Sequence, residues 1–195
     1  MYWKVTTSPT TEPISLAEAK LHLRVDHSTD DDLITDLIKV AREWCEAYEG
    51  RAYMTQTITA YMDRFCGDVI ALPHPPLLDV SSVKYQDVGD TQQTLSTSIY
   101  NVDTTAEPGR IILAYSKTWP TTLPEENAIE IVYTAGYNET ADNTDDVPSR
   151  VKSAIKLIVG HLYENRENSI VGVSAQNIPM GAKSLLFERV FYAGR

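Results

Sequence analysis

Four histidines, two cysteines and a run of three aspartates are the residues on which chemistry could be built. His22, His27, His74 and His161 stand apart in the chain. No pair forms the HExxH pattern that puts two imidazoles on one helix face, and no Cys/His spacing matches a zinc site. A lone histidine on a helical face, as His161 is, more often packs than ligates. Asp30, Asp31 and Asp32 resemble a Mg²⁺ site until their spacing is considered: consecutive positions at a helix start point in different directions and do not converge on one ion. The run has another use, because negative charge is favoured by the dipole at a helix N-terminus. There is no GxxxxGK[ST] phosphate cradle, no GxGxxG and no GxSxG elbow, so nucleotide hydrolysis and acyl transfer lack their usual parts. With 27 acidic residues, pairs of carboxylates are always on offer and single out no acid-base site. The residues thus assign no catalytic, cofactor or metal site. Cys45 and Cys66 are too few for a disulfide scaffold and read as reduced thiols.

The elements around these residues are more informative. Thr29 to Arg51 carries Leu33, Ile34, Leu37, Ile38, Ala41, Trp44, Cys45 and Tyr48 at spacings of three and four, which puts them on one stripe of an α-helix. That stripe must be buried. Ser28, Thr29 or Asp30 caps its start, and Gly50 supplies a left-handed stop. Upstream, Pro13 and Ser15 mark a shorter helix: Ser15 and Glu18 have the spacing of a capping box, and Leu16, Ala19 and Leu23 face inward. Met1 to Thr11 is polar, with Tyr2, Trp3 and Val5 alternating weakly, and reads as an edge strand or as an arm lying on a neighbour.

After Arg51 the period changes from that of a helix to that of a strand. Strands are expected at Tyr53 to Phe65, Val69 to Leu72, Val80 to Gln86, Gln93 to Tyr100, Tyr100 to Asp103, Arg110 to Tyr115 and Ala128 to Tyr133, with PHPP at Pro73 to Pro76 as a rigid stop. Tyr115, Trp119, Tyr133 and Tyr137 near strand ends could stack on sugars or bases, but their alternation with Ile112, Ile129 and Ile131 is what a packed sheet face requires. Pro148 opens a third helix with Val151, Ala154, Ile155, Ile158 and Leu162 inward. Gly160 inside it suggests the close approach of another backbone. Gly181 to Tyr192 makes a last, very apolar helix. The fold expected is α+β: a helical core of about four helices with an inserted antiparallel β-sheet or small sandwich. The boundaries are N-terminal helices over 1–52, the β insertion over 53–137, and C-terminal helices with a tail over 138–195.

A net charge of −10 argues against a surface that grips nucleic acid, since such surfaces gather Lys and Arg against phosphates. No apolar run approaches the ~18 residues of a membrane span and no signal-like segment opens the chain, so a cytosolic product is expected. Apolar surface beyond what a monomer usually shows, on the long helix and at the C-terminus, points to burial against other subunits or a partner.

Several stretches resemble, in order and spacing, the head-tail connector (adaptor) family of tailed bacteriophages and related prophage particles. They are Pro13 to Val25 (PISLAEAKLHLRV), Asp31-Asp32-Leu33-Ile34, Glu46 to Arg51, Leu72-Pro73 with Pro75-Pro76-Leu77, Ile131 to Tyr137, Val147-Pro148 leading to His161 to Arg166, and Ile178-Pro179 with Leu185-Leu186. Members of that family are structural and not catalytic. The resemblance implies a homo-oligomeric ring, commonly of twelve copies, beneath the portal protein at the head-tail junction of the virion, built from subunits made in the bacterial host cytoplasm. Such a ring extends the DNA channel and carries the next head-completion, stopper or tail protein. DNA would pass without sequence-specific binding, and no membrane is involved. In this frame a C-terminal segment reaches the portal, here Leu185, Leu186, Phe187, Val190 and Phe191. Charges flanking the long helix, Asp36, Lys39, Arg42, Glu43 and Glu46, would join neighbouring subunits and set the ring register. A monomeric ligand- or carbohydrate-binding β module with helical flanks is the rival reading, and a hydrolase a more distant one.

Overall fold

The computed structural model describes residues 1–137, 147–165 and 180–186 of the 195. The described residues hold four helices and two antiparallel sheets, a mixed α+β fold. They divide into two compact units, one of residues 1–9 and 50–137, the other of residues 10–49, 147–165 and 180–186.

The first unit is all β. Its five-stranded sheet contains β1 (Tyr2–Thr7), β2 (Gln56–Met62), β4 (Leu77–Gln86), β5 (Gln92–Thr94) and β8 (Ile129–Ala135), in the order β1-β2-β8-β4-β5. A three-stranded sheet orders β3 (Val69–Ala71), β7 (Arg110–Leu113) and β6 (Tyr100–Asp103) as β3-β7-β6. Every neighbouring pair is antiparallel. Of the two readings of the N-terminus, the edge strand is the one observed: β1 pairs with β2 from Tyr2↔Tyr61 to Thr7↔Thr57. It therefore belongs with the sheet, although the next residues to follow are helical, because strand pairing is set by ladder partners and not by sequence neighbours.

β8 is the spine. Ile129, Ile131, Tyr133 and Ala135 are buried in strict alternation along it, which is how a pleated strand sends one side chain in two to the core. They join Ile58, Ala60, Ile70, Leu77, Val83, Tyr100 and Ile111 in one apolar core drawn from both sheets. Tyr133 takes its hydroxyl into this core and satisfies it by donating to the Pro73 carbonyl at 2.8 Å. Burial pushes its ionisation well above the ordinary tyrosine range. At the end of β8, Gly136 adopts φ +128, and a Cβ there would stand 2.4 Å from the Met54 carbonyl oxygen. Only glycine fits.

The second unit is all α: α1 (Leu16–Leu23), α2 (Asp31–Glu49), α3 (Ser149–Glu164) and α4 (Met180–Leu186). The capping box at α1 is present in both directions, the Glu18 N–H donating to Ser15 Oγ at 3.2 Å and the Ser15 N–H to Glu18 Oε2 at 2.9 Å. The bond from the Ser15 backbone, ahead of the cost of burial and the help of Lys156, holds the Glu18 carboxyl below its usual range. Arg24 closes α1 in the left-handed conformation (φ 59), and Gly50 follows α2 with φ 66. The interior is built from Ala19 of α1, Ile34, Ile38, Ala41 and Cys45 of α2, and Val151, Ala154, Ile155, Ile158 and Val159 of α3. Gly160 is less crowded than its position suggests: a Cβ would meet His22 and Leu23 side chains no nearer than 3.7 Å, an ordinary contact. Among the described residues no helix is long and apolar enough to cross a membrane.

Candidate assembly site

The long helix of the second unit has three longitudinal strips where the sequence suggests one apolar stripe with charged flanks. Ile34, Ile38, Ala41 and Cys45 form the buried strip. Leu33, Leu37, Trp44 and Tyr48, expected on the same stripe, are only half-buried, and Val40 beside them is 51% exposed. The apolar cover is wider than the subunit's own interior uses. Trp44 and Tyr48, one turn apart, stack with ring centroids 5.1 Å apart and planes 13° from parallel.

The third strip carries charge into the interior. Arg42 is 3% exposed and Glu46 8%. The Arg42 guanidinium donates from Nε and Nη2 to the two carboxylate oxygens of Glu12, at 2.7 and 3.3 Å, and from Nη1 to Glu46 at 2.7 Å. Burial by itself would lower its ionisation, and the bonds and charges of Glu12 and Glu46 more than reverse that. These two members of the expected flank are thus engaged inside the subunit, because the segment ahead of α1 lays Glu12 over them. Asp36, Lys39 and Glu43 stay exposed, Glu43 lying 3.7 Å from Arg42.

A second buried carboxylate sits one helical turn along. Glu49 has no exposed surface and receives Arg150 Nη1 at 3.0 Å, and the same guanidinium nitrogen also reaches the Leu185 carbonyl at 3.2 Å. Arg150 therefore ties the end of α2 to the last turn of α4. Leu186 is buried and Leu185 half-buried, while Phe187, Val190 and Phe191 lie outside the described residues. Cys45, on the buried strip, has its thiol pushed up to about 12 by burial and then by the charges of Glu49 and Glu46. It is a packing residue at neutral pH, not a nucleophile.

Among the described residues no three His, Cys, Asp or Glu side chains come together to hold a metal. Asp31 pairs with Lys20 at 2.6 Å and Asp30 accepts the Tyr163 hydroxyl, so the aspartate run serves the helix start and its packing. His161 is half-buried, near the Asn165 amide. In the β unit an open cleft of about 1130 Å³ is lined by Tyr2, Tyr61, Phe65, Trp119, Glu125 and Asn127 among others. Its aromatic side chains are already used on one another, Phe65 stacking on Trp119 at 4.7 Å and Tyr2 on Tyr61 at 6.2 Å. Tyr115 is 95% exposed, contrary to a packed role, whereas Tyr133 is fully buried.

Comparison with known proteins fits a structural part. No curated protein sequence matches the chain. The chain shares its fold with subunits of a gene transfer agent (GTA) particle. One is from the virion of the native particle (19% identity, TM-score 0.78, covering 99% of this chain and 97% of that one). Another is from the neck of the empty particle computed with C6 symmetry (20%, 0.76, all of both chains), and a third from the neck of the native particle computed with C12 symmetry (19%, 0.75, all of both chains). Residues 13–107, which contain α1, α2 with its three strips and the five strands from β2 to β6, match the family model of the phage gp6-like head-tail connector protein. Over those residues, just under half of its length, the chain is similar to the phage gp6-like head-tail connector family, whose members are structural connectors.

Proposed function

We propose that this chain is a head-tail adaptor of a tailed, phage-like particle. Copies of it close into a ring, twelve in the simplest reading, that lies beneath the portal, continues the DNA channel and carries the next completion, stopper or tail protein. The observation that carries the reading is the match over residues 13–107 to the connector family. The full-length fold likeness to neck subunits of C12 symmetry supports it. In this reading the helical unit is the ring-forming core and the β unit a module inserted in it. The exposed Asp36, Lys39 and Glu43 take part in subunit contacts, while Arg42 and Glu46 hold the helix in its own subunit. The C-terminal segment reaches the portal from Leu185 onward, and because Leu186 is packed inside its unit the contact falls to Leu185, Phe187, Val190 and Phe191. A net charge of −10 suits a wall along which DNA slides, since each Lys or Arg on it would add phosphate affinity. Electron microscopy of the full chain mixed with portal-bearing particles tests the reading. A cyclic ring at the portal vertex is the expected result, and a chain that stays monomeric and leaves the particles bare overturns it.

A further inference from the structure

The half-covered strip of α2 has a pattern of its own. Leu33, Leu37, Val40, Trp44 and Ala47 follow one another at intervals of four, three, four and three, the repeat of a helix–helix seam. It runs beside the seam that the subunit already fills with Ile34, Ile38, Ala41 and Cys45. A helix with two parallel seams, one filled inside its own unit and one half open, is set up to receive a second helix. Exposed charge borders the open seam: Asp36 and Glu43 stand one turn to either side of Val40.

The same unit carries a surface that matches. α1 buries Ala19 and turns Ala17, Leu21 and Arg24 outward at intervals of four and three. Leu21 is 82% exposed, a large apolar side chain standing free on a short helix. Arg24, exposed in its left-handed cap, lies at the end of that row. Leu21 stands free of its own α2 seam, and the open seam of another copy offers it a place. We infer that α1 of one copy docks on the open seam of α2 in the next, Leu21 entering beside Leu37, Val40 and Trp44 and Arg24 meeting Asp36 and Glu43. The two faces are unlike, so the contact is head-to-tail and propagates around a ring instead of stopping at a pair. This deepens the adaptor reading and rests on it.

The test uses the full chain with Cys66 replaced by Ser, under conditions in which electron microscopy shows rings. Leu21→Cys chains and Val40→Cys chains are oxidised mildly, separately and mixed. The expected result is a disulfide-linked pair only in the mixture, and a ladder of multimers when one chain carries both cysteines. A Val40→Cys chain that links to itself, or a mixture that stays unlinked while the rings persist, overturns the inference and leaves the ring standing. If the unsubstituted chain forms no ring even on portal-bearing particles, the adaptor reading fails and the inference with it. Leu21→Asp and Val40→Asp are each expected to lower the ring fraction about tenfold or more, with the melting temperature unchanged because both sites are exposed. Rings undiminished by either change overturn the inference.

Discussion

The sheets of the β unit share a large apolar core, with Gln56 and Thr59 of β2 and Arg51 ahead of it as its buried polar residues, and along β8 buried and half-buried positions alternate, whereas α2 buries Arg42, Glu46 and Glu49 beside its apolar strip. The first arrangement is stabilised by area and volume. The second depends on charges that are each satisfied by a named partner, Glu12 and Glu46 on Arg42 and Arg150 on Glu49. Burying such ions costs desolvation that their attraction roughly offsets, and removing one partner alone leaves the other charge buried and uncompensated. The β unit should therefore be sensitive to added atoms, and the helical unit to lost charge.

The comparison breaks first at Gly136. Gly136→Ala puts a methyl group against the Met54 carbonyl at a backbone angle that side chains avoid, and is expected to cost about 3 kcal/mol or more. Hydrogen exchange read by mass spectrometry should show the loss in β2 and β8 peptides. Equal protection in mutant and parent would mean that the turn has room the geometry denies. Next, Arg42→Met should cost about 2–4 kcal/mol in urea unfolding, because Glu12 and Glu46 keep their charge and lose their partner. Adding Glu46→Met should restore part of it, since the remaining Glu12 side chain is 25% exposed. If the double variant is worse than the single one, the cluster is held by packing and not by charge.

Two smaller changes sharpen the contrast. Gly160→Ala fills space that is open and is expected to stabilise the helical unit by about 0.8 kcal/mol, seen as a raised melting temperature. The least is at His74, which sits edge-on to Trp3 with ring centroids 4.0 Å apart. Burial lowers its ionisation, and a bond with the Arg51 backbone offsets this in part. The unfolded chain then takes the proton first as pH falls through about 6.5, so stability present at neutral pH is lost on acidification. His74→Asn, which tolerates the left-handed backbone at this position, should flatten the acid side of a melting-temperature profile. An unchanged profile would clear His74 of the effect.

What could be read from the chain was what depends on near neighbours. The Ser15 and Glu18 box, the Gly50 stop, the inward faces of α2 and α3 and most strand periods are local signals, and those elements stand within a few residues of where their patterns put them; the strand expected over Gln93 to Tyr100 is shorter, Gln92–Thr94, and the last helix is described only as far as Leu186. Two features escaped because their causes are remote in sequence. Glu12 comes from a stretch with no period, and only the folded chain lays it on Arg42, thirty residues away. The pairing of β1 with β2 is likewise invisible to periodicity, since Thr7 and Thr57 meet across the whole helical hairpin. The open seam on α2 was present in the spacing, but merged with the buried one until exposure separated them.

The central place of β8 has a consequence for synthesis. It lies between β2 and β4 yet is the last strand of its sheet to leave the ribosome, so the ladder cannot be completed until residue 135 has emerged. Until then the early strands wait with apolar faces uncovered, while α1 and α2 are free to form as they are made. Translation that stalls between β4 and β8 would leave the nascent product at its most prone to stick.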